Sequence, residues 1–204
     1  MSFRALKMDV EEVVIIDILP EEERKKWAIS EGLRSELAAL GIPQFQLSCY
    51  TKKHVFDALK WCGVRLEKAN FVLHFTAHGN ETGIGLKATN EFIPWKELQA
   101  PMTAINQKME GNLILNMMAC QGIYGSTIQT LENPQDPFFG IIAPLKKIEI
   151  GQAKRVAKIF YEEMINATEI PRIVIKINQT ENDLILWSHS SQSRRKRADS
   201  TLSL

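Results

Sequence analysis

The chain has 204 residues, 45% of them apolar and 24% charged, with a formal net charge of +1. That length suits one domain with a full hydrophobic core, and so balanced a charge supplies no electrostatic drive toward nucleic acid or a membrane surface. Three widely spaced cysteines make no disulfide framework, and no CxxC pair or Cys/His cluster has zinc spacing, so no metal or cofactor is expected.

No apolar run reaches about 18 residues and the N-terminus has no signal-peptide core. The expectation is a cytoplasmic protein without a membrane span. Val13 to Leu19 reads as a buried central strand stopped by Pro20. Glu21-Glu22-Glu23 suits a helix N-terminus, where the macrodipole favours carboxylates, and Arg24-Lys25-Lys26 follows at i+3 and i+4 spacing as a solvated face. This helix continues through Leu33, Leu37 and Leu40 and stops at Gly41-Ile42-Pro43. Phe45 to Tyr50 is a second strand, and Thr51 is placed to cap a helix that turns Val55, Phe56, Leu59 and Leu66 toward the core.

Phe71 to Ala77 is a third apolar strand, ending in His78-Gly79. Residues 81–92, with Gly83 and Gly85, read as a small hairpin, and a helical segment runs from Pro94 to Met109. Gly111-Asn112 turns the chain into another apolar strand, Leu113 to Ala119, which ends in Cys120-Gln121-Gly122. A loop to Pro137 precedes a strand from Phe138 to Leu145 and an amphipathic helix from Gly151 to Asn166. Ile173 to Ile177 and Leu184 to Trp187 read as final strands joined by a hairpin across Asn178 to Asp183. The stretch from Ser188 onward is Ser-rich and basic, so residues 1–189 are expected to form the domain and 190–204 a disordered basic tail. The alternation of strands and helices implies an α/β protein, a three-layer α/β/α sandwich with a mostly parallel central sheet.

Two of these strands deliver a chemically capable side chain at their C-terminal ends, where open α/β sheets bind ligands. If they are neighbours, about 4.8 Å apart, the thiol of Cys120 and the imidazole of His78 meet at one rim. That is the outline of a cysteine nucleophile with a histidine base. The other reactive residues have plainer readings. Cys49 and Cys62 pack in the core, His74 sits mid-strand as an interior histidine, and His54 and His189 lie at the surface.

Phe75-Thr76-Ala77-His78-Gly79 followed by Met118-Ala119-Cys120-Gln121-Gly122 resembles the cysteine peptidases of the caspase-like clan, including caspases, metacaspases, legumains, separases, gingipains and CHAT proteases. The caspase pattern is Q-A-C-[RQG]-G with its histidine about 50 residues upstream; here the run is M-A-C-Q-G, with His78 42 residues before Cys120. The resemblance covers most of the chain and implies the caspase-hemoglobinase fold. It makes Cys120 the nucleophile, His78 the proton carrier, and the backbone N–H groups of Gly79 and Cys120 the oxyanion donors, with no third member required. Asp136 and Glu149 are candidates for an S1 pocket that takes a basic residue. Ala119 stands where metacaspases carry an aspartate. Arg24 lies where one caspase-type arginine falls, and its helical charge pattern explains it equally well.

The resemblance further implies limited proteolysis of a protein partner. Similar small chains beside bacterial defence genes point to antiphage defence or programmed cell death, with a gasdermin-like pore former as substrate. The length leaves no room for the usual prodomain, so an activating partner outside the chain, or its own ends, is expected to control it. Two other readings stand beside this one: a catalytically inactive caspase-like interaction module, and a Cys-dependent amidase or glutaminase, in which Cys normally precedes His. Arg194 to Arg197 reads as a solvated charge run or as a processing site for a protease that prefers basic residues.

Overall fold

The computed structural model describes residues 11–65, 71–129, 136–182 and 184–189. Its centre is a six-stranded sheet of β1 (Glu12–Asp17), β2 (Gln44–Ser48), β3 (Phe71–Thr76), β7 (Ile114–Met118), β8 (Gly140–Pro144) and β9 (Ile185–His189). Their spatial order is β2-β1-β3-β7-β8-β9, and every neighbouring pair is parallel except β8 with β9. Between β3 and β7 the chain makes a separate antiparallel sheet from β4 (His78–Asn80), β5 (Gly83–Leu86) and β6 (Glu91–Pro94).

Because strand side chains alternate, each central strand feeds two cores. Leu73, Phe75, Leu115 and Met117 pack with Val55, Leu59 and Cys62 of α3 (Lys52–Arg65) and with Trp95, Leu98 and Met102 of α4 (Trp95–Lys108). On the opposite face Val72, Ile114 and Met118 meet Leu33 and Leu37 of α2 (Ile29–Ala39). Val156 and Phe160 of α5 (Ile150–Ile165) and Ile173 and Ile177 of α6 (Ile170–Glu181) complete that layer. The result is a three-layer α/β/α sandwich. Thr51 caps α3 as its sequence position predicts, its hydroxyl accepting from the N–H of His54 at 3.1 Å.

Two elements differ from the sequence reading. The expected strand at Ile173–Ile177 is the middle of α6, and the expected hairpin to Leu184 does not form. Four β-branched residues in the five from Ile173 to Ile177 favour a strand locally, yet Ile173, Val174, Ile177 and Glu181 are buried at helical spacing while Ile175 is 59% exposed. Pro171 in the first turn suits a helix start. Asn178 then holds β9 in place, bonding both the N–H and the carbonyl of Ile185. The single helix expected from Glu21 to Leu40 is two: α1 (Glu21–Trp27) and α2, broken at Ala28 with φ 44°. A non-glycine residue in that region is strained and persists only where its surroundings over-determine it.

His74 is an interior residue, as its mid-strand position predicts. Its Nδ1 lies 3.0 Å from the hydroxyl of Tyr161 on α5, and burial pushes its pKa down to about 3. The unfolded chain takes up this proton near pH 6.5 and the native protein does not, so stability is complete above about pH 6.5 and declines as pH falls toward 3, by a few kcal/mol in all. A His74→Phe variant removes this contribution. The drop in its urea midpoint between pH 7 and pH 4 is expected to be clearly smaller than the parent's.

Candidate active site

Register decides what meets at the rim. Thr76 on β3 lies beside Met118 on β7, and the N–H of Ala77 donates to the Met118 carbonyl at 3.4 Å. Two residues further along, His78 and Cys120 leave the sheet at the ends of these adjacent strands. Gly79 is packed against the cysteine turn: a Cβ there would lie 2.9 Å from the Cys120 carbonyl oxygen and 3.0 Å from Cβ of Ala119. The absence of a side chain is what permits this approach.

The hairpin behind His78 is firmly tied. Asn80 Oδ1 accepts from the N–H groups of Thr82 and Gly83 and from the Thr82 hydroxyl, and Trp95 Nε1 donates to the Asn80 carbonyl at 3.2 Å. On the other side, the loop after β8 wraps Cys120. Gln121 N–H donates to the Lys146 carbonyl at 3.1 Å, and Cys120 Sγ lies 3.9 Å from the Ile148 carbonyl. Gln121 Nε2, in the cysteine turn, reaches across to Glu81 Oε1 at 3.1 Å, joining that turn to the hairpin.

Cys120 is the one cysteine of three that is not buried. Burial pushes the Cys49 and Cys62 thiols up to about 12, which leaves them inert packing residues as expected. The N–H of Gln121 and of Gly122 are both bonded, whereas that of Cys120 has no acceptor among the described residues. It is therefore available to a developing oxyanion.

The imidazole of His78 is half-buried. Its Nε2 lies 2.5 Å from Oε2 of Glu23, and the ring of Trp27 meets it edge-on at 5.9 Å. Among the described residues Nδ1 has no hydrogen-bond partner, and no hydrogen bond joins the imidazole to Cys120 Sγ. Catalytic hydrogen bonds in unliganded proteins often close only when substrate arrives. Glu23 is the residue that sequence reasoning missed. In the sequence it is one of three glutamates in a helix first turn, a pattern explained by the macrodipole alone. Only its position facing His78 sets it apart. Burial opposes its ionisation, but hydrogen bonds from Lys87 at 2.9 Å and from His78 prevail and hold its pKa below the ordinary carboxylate value.

The other sequence candidates fall elsewhere. The carbonyl of Asp136 accepts from Asn106 Nδ2, and Asn106 Oδ1 accepts from the N–H of Leu113 at the start of the β7 run. Asp136 is thus at the opposite edge of the sheet, roughly 20 Å from Cys120 at about 3.3 Å per residue, and does not line a pocket at the rim. Glu149 is near the rim, directly after Ile148, but its carboxylate forms a capping box with Gln152 at the start of α5. Arg24 is no solvated charge. It is buried and bonds to Asp17 Oδ2 at 2.9 Å, to the carbonyls of Asp17 and Leu19, and to the Tyr50 hydroxyl. The basic run at Arg194 to Arg197 lies outside the described residues.

Among the described residues no group of His, Cys, Asp and Glu could hold a metal ion, and no helix is long and apolar enough to cross a membrane. No protein-family model matches the chain, and no curated protein matches it.

Two substitutions test this geometry. Gly79→Ala forces β4 away from the Cys120 carbonyl, which is backbone and cannot swing aside. It is expected to cost about 1–3 kcal/mol in chemical denaturation and to slow alkylation of Cys120. Glu149→Ala is expected to remove about 1 kcal/mol of helix-cap stabilisation, read as a lower denaturation midpoint. Any preference among peptide probes at Cys120 should be unchanged by it.

Proposed function

We propose that this protein is a cysteine endopeptidase of the caspase-like clan that cuts a protein partner at few sites, with Cys120 as nucleophile and His78 as proton carrier. The observation that carries the reading is the pairing of β3 with β7. Two parallel neighbours in register end in an imidazole and an unburied thiol, with Gly79 pressed against the cysteine turn. The sequence resemblance supplies the clan, and the sheet architecture is compatible with it.

In this mechanism the Cys120 sulfur attacks the scissile carbonyl carbon while its proton passes to the imidazole. The carbonyl π pair moves onto oxygen, where the free N–H of Cys120 receives it. The imidazolium then returns the proton to the leaving amine as the C–N bond breaks, leaving a thioester. Water attacks the thioester, its proton going first to His78 and then to the departing Cys120 thiolate. Nothing in this cycle calls for a metal. A reducing cytoplasm suits a reactive thiol. A gasdermin-like pore former is the partner that the resemblance to defence-associated chains implies.

A second reading, an interaction module that keeps the fold without cleaving, is favoured by one observation: Cys120 Sγ is bonded to the Ile148 carbonyl and not to His78. Electrophilic peptidyl probes with Asp, Arg or Leu at P1 separate the two readings. Mapped adducts at Cys120, with kcat/KM on a matching peptide falling at least about a thousandfold in Cys120→Ala and His78→Ala, are the result expected of the peptidase. No adduct under reducing conditions, with or without cell extract as a source of activator, would favour the module.

A further inference from the structure

We propose that Glu23 is the positioning residue of the site: it binds the Nε2–H of His78 and so makes Nδ1 the nitrogen that exchanges the proton with Cys120. The inference rests on the dyad proposed above and adds a third side chain and a nitrogen assignment to it. The Glu23 carboxylate is held ionised, with one oxygen on Lys87 and the other on His78. An ionised carboxylate only accepts hydrogen bonds, so the neutral imidazole must donate from Nε2 and carry its lone pair on Nδ1. Nδ1 is also the ring nitrogen without a partner among the described residues. One contact therefore selects the tautomer, sets the ring plane and stabilises the imidazolium that forms during attack.

The fold holds Glu23 at this point. Arg24, the next residue, is fixed by two bonds to Asp17, one to Leu19 and one to Tyr50, so the first turn of α1 cannot roll. The break at Ala28 frees α1 from the line of α2, and Trp27, the last residue of α1, closes the open side of the imidazole. The groups facing His78 are thus Glu23 and Trp27 from α1, with Lys87, beyond β5, acting through the Glu23 carboxylate.

Lys87 tunes the contact. It shares the carboxylate, opposes the imidazolium, and is more than half exposed, so it can be replaced without opening the core. Removing Lys87 strengthens the field of Glu23 at His78, and removing the charge of Glu23 abolishes it. The two variants must therefore act in opposite directions on the Nε2–H tautomer of His78.

The test uses the full chain in a Cys120→Ala background, with imidazole nitrogens observed by NMR, so that it reads out whether or not peptides are cleaved. The parent is expected to show the Nε2–H tautomer. Glu23→Gln is expected to weaken this tautomer preference, Glu23→Ala to lose it, and Lys87→Met to strengthen it. With Cys120 restored, Glu23→Gln is expected to slow iodoacetamide alkylation of Cys120 and to move its pH profile. If peptide cleavage is detected, kcat falls about ten- to a hundredfold with KM within twofold. An Nδ1–H tautomer in the parent, or a tautomer balance identical in the parent and Glu23→Ala, overturns the proposal. A tautomer change in these variants of a protein that cleaves nothing leaves the positioning role intact and removes the peptidase.

Discussion

The register of β3 against β7 is the constraint from which the rest follows. Strand side chains alternate, so a slip of one residue would carry Leu73 and Phe75 into the α2/α5/α6 layer and turn His74 toward α3 and α4. Both faces of these strands are buried, and neither layer tolerates the exchange. The pairing of Thr76 with Met118 is therefore fixed by core packing several residues before the rim. The adjacency of His78 and Cys120 is a by-product of that packing. It needs no stabilising contact of its own, which frees their side chains for chemistry.

A second layer of control is ionic. Asp17 ends β1 at the same edge of the sheet and is fully buried, accepting from Leu19 N–H, Arg24 Nε and Gln46 Nε2. Burial works against the Arg24 charge, but Asp17 beside it and Tyr50 across from it more than offset this and raise its pKa. Buried pairs of this kind contribute little net stability and contribute mainly to geometry, whereas losing one partner strands a charge. Here the geometry fixed is that of α1, and through it the carboxylate of Glu23 and the ring of Trp27. The helix break at Ala28 belongs to the same arrangement: α2 lies along the sheet to bury Leu33 and Leu37, while α1 turns across the rim.

Much of this was legible locally. Short apolar runs bounded by glycine and polar residues marked β1, β3, β7 and β8, and Thr51 marked a helix start, because burial and capping act over a few residues. His78 and Cys120 stood out for the same reason, each being a polar end to an apolar strand. The strand reading of Ile173–Ile177 failed because β-branched propensity is a local preference, and a long-range demand overrode it: Ile173, Val174 and Ile177 are needed on one helical face to close the second core. Asp136 follows Cys120 in sequence, but it stands beside Asn106, which bonds Leu113 at the other end of the β7 run.

Composition, hydrophobic period and turn chemistry in the sequence alone determined the α/β class, the parallel strands and the placement of His78 and Cys120 at the ends of two of them. These signals are carried within windows of about ten residues. Which residues face those two was decided only by tertiary structure. Glu23 and His78 lie 55 positions apart, and nothing near Glu23 in the chain distinguishes it from Glu21 or Glu22. Its role depends on the Arg24 anchor, the break at Ala28 and the path of β1 beside β3, and those are set by burial and ion pairing between distant segments.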